Sequence, residues 1–335
     1  MKASCINRRS LLVGMAAAPA IIGAARAAPM TLKLSSSLPN DPKFANGRVY
    51  YDNLVKRLAA HGLADRIEVQ FFPDNQLGQE IDVVSSVSLG VIDLMVTGTS
   101  IWANVAPLIG LLDLGYLFES FPQQTKALDA GAAKPLEQAL KGANVQIIGW
   151  AYNFGSRSVL CKSPVNGPAD LAGKRIRTLP NKIITECLKL MGAAATPLAF
   201  GEIYTALQAG VLDGLEHDPP TVVASKFYET AKFYSLTQHN FSALGAFCSG
   251  ITLSRMDPAL RDQLLAAASE AAVETRARGL EAEKEALATL KQKGVDIIAC
   301  DREPFRKLTL PQTDAFIKAH PDAKPIIDII RNTKA

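Results

Sequence analysis

Arg177, Asn181 and the run Glu216-His217-Asp218 are the residues of this chain whose types and spacing can do chemistry. Arg177 follows the apolar Ile176 in Lys174-Arg175-Ile176-Arg177-Thr178-Leu179, a β-type segment whose neighbours must point to opposite faces. A planar guanidinium grips a carboxylate through two parallel hydrogen bonds, which an ammonium cannot reproduce. The same position also suits an arginine on a solvated strand face. Asn181 can donate and accept, which fits a hydroxy acid and fits helix N-capping equally. Phe200, just before Gly201, can floor a pocket or join a core. On a strand, Glu216, His217 and Asp218 alternate faces, so the three cannot all ligate one metal ion. The chain's four histidines, His61, His217, His239 and His320, form no catalytic or metal motif. No enzyme, metal or cofactor is therefore expected from these residues.

These residues need a frame, and the stretch 173–220 supplies one. Pro180 stops the first strand, and a helical pattern begins at Asn181. A short β segment at 195–198 leads to a helix carrying Glu202, Tyr204, Leu207 and Gln208, then to the turn Asp213-Gly214. Two βαβ steps result. In open α/β sheets, ligands bind beyond the carboxyl ends of the strands, where Arg177, Asn181, Phe200 and Glu216 to Asp218 fall. Upstream, strands at 31–36, 67–72 and 91–96 alternate with two helical patterns, at 48–61 and around Ile81, Val84 and Val87. That is one doubly wound lobe. The turn from Ser35 to Pro42 can present hydroxyls to a ligand. Residues 106–118 are apolar but broken by Pro107, Gly110, Asp113 and Gly115, so irregular structure is expected. A helix at 121–141 and strands at 145–152, 233–237 and 247–253 follow. Asp257-Pro258 is an N-cap with proline at the first helical position, opening a long helix that runs to Gly294. A strand at 295–299 and two short helices finish the chain.

The central stretch resembles the signature of the solute-binding proteins of tripartite ATP-independent periplasmic (TRAP) transporters, the DctP family. That signature reads loosely G-x-K-I-R-x-P-N, then G-A-x-P-T-P, then E-x-Y-x-A-L-Q-x-G-x-x-D-G-x-E-x-P. Gly173 to Arg177 with Pro180-Asn181 match the first part, Gly192 to Pro197 the second, and Glu202 to Glu216 the third. The resemblance implies an α/β, two-lobed periplasmic binding protein fold: two doubly wound domains joined by crossing strands, with a long helix across both lobes. It implies capture of a small organic acid and delivery to TRAP membrane permease subunits. Arg177 then occupies the position that grips the ligand carboxylate. Arg157 matches a family arginine that supports the clamp or bridges the lobes. Thr99, Ser100 and Trp102 follow a strand end where relatives place ligand contacts, although Trp102 suits plain core as well. Asn153 stands beside the crossover at 152–157. Relatives commonly read D-G-x-E-N-P where this chain has Asp213-Gly214-Leu215-Glu216-His217-Asp218-Pro219, so His217 and Asp218 point to altered ligand choice. A hydroxylated sugar acid is the first expectation, and a C4 or aromatic acid the second. A ligand-binding partner of a periplasmic sensor could share the same fold and site.

At 335 residues the chain is long enough for two domains. The expected division is 28–154 with about 243–282, then 155–242 with about 283–335 and the C-terminal helices. The net charge of +4 is a local feature: residues 1–27 hold Lys2, Arg8, Arg9 and Arg26 and no acid, leaving 32 of the 36 basic residues against 32 acids. This balance gives no reason to expect nucleic acid. An apolar run from Leu11 to Ala25 and the small residues Ala25-Arg26-Ala27 make 1–27 a signal peptide, with Arg8-Arg9 of twin-arginine type. No later segment is apolar enough to span a membrane, and a periplasmic monomer is expected. Cys161, Cys187, Cys248 and Cys300 fit no metal or redox spacing and read as free thiols.

Overall fold

The protein is described from a computed structural model covering residues 28–334; the expected signal segment 1–27 lies outside the described residues, as does the side chain of Asn153. Nine strands are described: β1 Met30–Ser35, β2 Ile67–Phe72, β3 Leu94–Gly98, β4 Val145–Cys161, β5 Arg175–Thr178, β6 Ala194–Pro197, β7 Gly214–His217, β8 Phe233–Ser249 and β9 Asp296–Ile298. They are hydrogen-bonded in the order β2-β1-β3-β8-β4-β7-β5-β6, with β9 added to β8. The parallel pairs β1–β2 and β1–β3 form the first lobe, and β5–β6 and β5–β7 the second. Each chain reversal between parallel strands is made by a helix, as a parallel sheet requires.

β4 and β8 hold the lobes together. Each is 17 residues long and they pair antiparallel from Val145↔Ser249 to Cys161↔Phe233. One end of β8 pairs with β3 of the first lobe, and its other end with β9 of the second. Four register shifts interrupt the ribbon, between Ile147 and Gly149, Trp150 and Tyr152, Asn153 and Gly155, and Arg157 and Val159. Such irregularities bend and twist a strand pair, which lets two strands serve two differently oriented sheets. The sequence divided these strands at 145–152, 233–237 and 247–253. The structure instead carries each through the crossover, and residues after Ser249 turn helical in Gly250–Ser254.

The helix Pro258–Gln292 spans both lobes. Asp257 caps it, its carboxylate accepting from the amides of Ala259 and Leu260. Ala267, Ala268, Ala271 and Ala272 are buried, and these small side chains let the helix approach the sheet so closely that a Cβ on Gly149 would meet the Ala268 carbonyl at 2.7 Å. Further along, Glu283 accepts from the amide of Ser156 at the crossover (3.1 Å) and from its hydroxyl. The last helix, Ala323–Asn332, differs from expectation. Its buried Ile326, Ile327 and Ile330 pack in one cluster with Phe121, Leu128 and Trp102 of the first lobe, although it follows the second in sequence. Its apolar stripe fixes that it must be covered, and only the fold decides by what. The segment 106–118 forms the 3-10 helix Pro107–Asp113 rather than a regular element. Among the described residues the cysteines are free: Cys161, Cys187 and Cys248 are buried and Cys300 half-buried. No described helix is long and apolar enough to cross a membrane.

Candidate functional site

A narrow, nearly closed cleft with a cavity volume of only about 20 Å³ lies between the lobes. Ser37, Leu38, Glu80, Thr97, Gly98, Ser100 and Ile101 line it from the first lobe, and Arg177, Leu179, Phe200 and His217 from the second. Phe154 and Arg157 of the crossing strand β4 complete it. A larger groove, about 660 Å³, runs past Tyr116, Gln238 and Arg302. Arg302 there donates to the Gln238 side chain at 2.8 Å, and among the described residues no unpaired buried charge lines that groove.

Arg177 is the chemical centre of the cleft. The alternation of β5 buries Ile176 in the second-lobe core and turns Arg177 to the opposite side, where it is 1% exposed. Its Nε donates to the Leu198 carbonyl at 2.8 Å, while its Nη2 is buried without a hydrogen-bond partner among the described residues. Burial lowers its pKa to about 10 against the pull of Glu216, so it stays charged at neutral pH. A buried guanidinium edge with no acid paired to it is what a ligand carboxylate would satisfy.

Arg157 behaves differently. Its Nε and Nη2 make a two-point pair with the Glu216 carboxylate, with Nη2 to Oε1 at 2.7 Å, and Nη2 also reaches the Glu216 carbonyl at 3.1 Å. Burial works against its charge and Glu216 overcomes that, holding its pKa above the ordinary value. Burial likewise pushes the Glu216 carboxyl up, but Arg157 and His239 bring it down to about 2. The pair therefore fixes the Arg157 fork at the back of the cleft. Glu216 turns its oxygens to Arg157 and His239 and is not among the residues that line the cleft.

His217 reaches the cleft wall between Phe154 and Phe200, whose rings meet it edge-on at 5.9 and 5.7 Å. Its Nδ1 lies 2.6 Å from Asp218 Oδ2. Burial, and then Arg157, lower its pKa despite Asp218, so the ring is neutral at pH 7. Asp218 does not line the cleft. Its other oxygen caps the helix Pro219–Ala224 by accepting from the Thr221 amide at 2.9 Å.

The first lobe contributes hydroxyls and one acid. Thr97 at the end of β3 donates to Glu80 Oε1 at 2.7 Å, and Glu80 opens the helix Glu80–Ser88. Ser100 donates to Asp113 Oδ1 at 2.5 Å. Asp113 is buried, and burial raises its pKa to about 7 although Ser100, Arg157 and Asn181 all pull it down.

Three residues expected at the site do not line the cleft. Asn181 is the N-cap of helix Lys182–Leu190: its Oδ1 accepts from Ile183 and Ile184, and its Nδ2 donates to the Ser100 carbonyl and Asp113. All its polar capacity is used, so the capping alternative holds. Trp102 is fully buried and stacked on Phe247 with ring centroids 4.5 Å apart, a core residue. Thr99 is buried, and its hydroxyl has no hydrogen-bond partner among the described residues. Sequence reasoning missed Glu80, Thr97, Ile101, Phe154 and Leu179. Glu80 had a usable signal, an acid in the first turn of a helix entered from a sheet's carboxyl edge. The apolar members look like any core residue.

Two lobes crossed by a paired ribbon, around a cleft with a buried unpaired guanidinium, define a protein that captures an anionic solute. The family profile for bacterial extracellular solute-binding protein, family 7 (DctP), matches residues 50–319, and the chain belongs to that family. It is 29% identical over 266 residues to the 2,3-diketo-L-gulonate-binding periplasmic protein YiaO of Escherichia coli, covering 79% of this chain and 81% of the relative. A TRAP periplasmic solute binding protein from Roseobacter denitrificans, solved with bound β-D-glucuronate, has a TM-score of 0.86 and 25% identity over 91% of this chain and all of the other. Another from Polaromonas, bound to D-erythronate, has a TM-score of 0.85 and 30% identity over 91% of this chain and 99% of the other. The chain is accordingly a periplasmic solute-binding protein and not an enzyme, and its class works with TRAP permease subunits.

Proposed function

We propose that the protein captures a sugar acid in the periplasm, with Arg177 gripping the carboxylate, and delivers it to a TRAP permease. The observation that carries the reading is the buried Nη2 of Arg177, unpartnered among the described residues, in the cleft wall. Solved relatives bind glucuronate and erythronate, acids that share a carboxylate and a row of hydroxyls. Arg157, locked by Glu216, positions the second guanidinium beside the first. Ser100, His217 and Phe200 meet the rest of the solute, together with Glu80 and Thr97. The working division is 28–154 with about 243–282 and the final helix as one lobe, and 155–242 with the rest as the other. Arg177 is almost completely buried, so solute exchange requires the lobes to part about the β4–β8 ribbon. The working unit is a monomer, and Arg8-Arg9 direct export by the twin-arginine route.

A thermal-shift screen of the mature protein against an organic-acid library tests this. A solute at 100 times its dissociation constant adds ~2.7 kcal/mol to stability, and the screen is expected to find one among sugar acids. A library in which no carboxylate raises the melting temperature overturns the reading.

A further inference from the structure

The polar side chains of the cleft have their hydrogens committed in an uneven way. Thr97 gives its only hydroxyl hydrogen to Glu80 at 2.7 Å, and Ser100 gives its own to Asp113 at 2.5 Å. His217 sits with Nδ1 at 2.6 Å from a carboxylate oxygen of Asp218, which can only accept. That short contact fixes the tautomer with hydrogen on Nδ1, over the longer 3.1 Å approach of the Asp218 amide to the same nitrogen. Nε2 is then left as the ring's acceptor. Glu80 is itself a carboxylate. Against these stand the guanidinium donors of Arg177 and Arg157, and Ser37, whose hydroxyl can act either way.

We infer that the cleft selects its solute by hydrogen-bond polarity: beyond the carboxylate held by the arginines, Glu80, Thr97, Ser100 and His217 can only accept, so the solute must present O–H donors to them. Asp113 is the positioning residue for this rule. It does not line the cleft, yet by taking the Ser100 hydrogen it turns the Ser100 oxygen into an acceptor. Asn181 donates to its second oxygen at 3.0 Å and holds the carboxylate in place. A ketone or a second carboxylate set against this wall would bring acceptor to acceptor and leave both buried and unpaired. Such a mismatch costs far more than a missing contact. The chain should therefore refuse diketo acids and C4-dicarboxylates, and take polyhydroxy acids of the aldonate or uronate type. This deepens the sugar-acid reading and rests on it.

Calorimetry at pH 8, above the value of about 7 to which burial raises the Asp113 carboxyl, tests the inference. The probes are aldonates of four to six carbons, their analogues with one hydroxyl oxidised to a ketone, and succinate. The expected result is that an aldonate binds, that ketone analogues bind about tenfold or more weakly, and that succinate is weaker still. Asp113→Asn can offer its amide hydrogen to Ser100 and so free the serine hydrogen for the solute. In that variant the hydroxyl-to-ketone preference at one position should fall several-fold. Ser100→Ala should erase the same preference, and Asp113→Asn added to Ser100→Ala should change nothing more. A purely structural Asp113 would weaken aldonate and ketone in proportion, leaving the ratio intact. That outcome, or keto acids and succinate binding as well as aldonates, overturns the inference while leaving carboxylate capture standing. If Asp113→Asn fails to fold, Ser100→Ala decides alone, since an unchanged preference in it removes the rule. Absence of binding by every acid overturns the sugar-acid reading and the inference together.

Discussion

Replacing Arg177 separates binding from stability, and in opposite directions. The surroundings lower its pKa from 12.5 to about 10, burial being the main cause. A pK difference of that size corresponds to ~3 kcal/mol by which the fold disfavours the charged side chain. The sign follows: the group is charged in both folded and unfolded chains at pH 7, so the penalty is present there and is relieved only as the pH rises through about 10. Among the described residues its hydrogen-bond partner is the neutral Leu198 carbonyl, and no acid is hydrogen-bonded to it. Arg177→Met, apolar and of similar length, should therefore raise the melting temperature of the unliganded protein. The gain should be less than ~3 kcal/mol, since the Leu198 carbonyl loses its donor, which amounts to a few degrees for a chain of this size. Binding should collapse. Truncating one partner of a buried, hydrogen-bonded charge pair typically costs ~2–5 kcal/mol, or roughly 30-fold to a few thousand-fold in affinity. Arg177→Lys keeps the charge and loses the fork, so it should bind poorly as well. Calorimetry with the solute found by screening, beside melting curves without it, reads both effects. Near-native affinity in Arg177→Met refutes the clamp, and a melting temperature well below wild type refutes the claim that the charge is held at a cost.

Arg157→Met should do the reverse to stability, because it strands Glu216 as a buried, poorly paired carboxylate; breaking such a pair costs ~3–5 kcal/mol, and a denaturant midpoint equal to wild type would exclude the pairing. Glu216 titrates near about 2 when folded against 4.5 for the free group, so its stabilising contribution is full above pH 4.5 and disappears as the pH falls through about 2. Stability followed over pH 5 to 2 should drop by up to ~3 kcal/mol from this group, and Glu216→Gln should show a shallower fall. Gly155→Ala should lower the melting temperature by several degrees: Gly155 has φ +149°, and a Cβ there would stand 2.1 Å from the Asp218 Cβ. An unchanged melting curve would show that the crossover is not packed as described.

Much of the fold was legible in the chain. Period-two alternation marks β1 and β2 because each has one face on a core. Asp257-Pro258 announces the long helix through local capping chemistry alone. Arg177 could be placed at a strand's carboxyl end by the βαβ pattern, but the pattern left cleft and solvated face open, and only the family resemblance pointed it into the cleft. The full length of β4 and β8 was not legible, since a strand running through register shifts loses its alternation and looks like two.

The sequence by itself determined most of the short strands and the long helix, and that a guanidinium stands at a strand's carboxyl end, because these follow from local sterics, capping and side-chain period. The tertiary structure alone decided what each polar group has left to offer. Asn181 and Arg157 have the same chemistry wherever they stand, but one has every bond used by a helix end and Asp113, and the other is locked to Glu216 from a strand 59 residues away. Arg177 remains available because no acid folds onto it. Hydrogen-bond capacity is a property of neighbours brought together from distant segments, and no spacing along the chain records it.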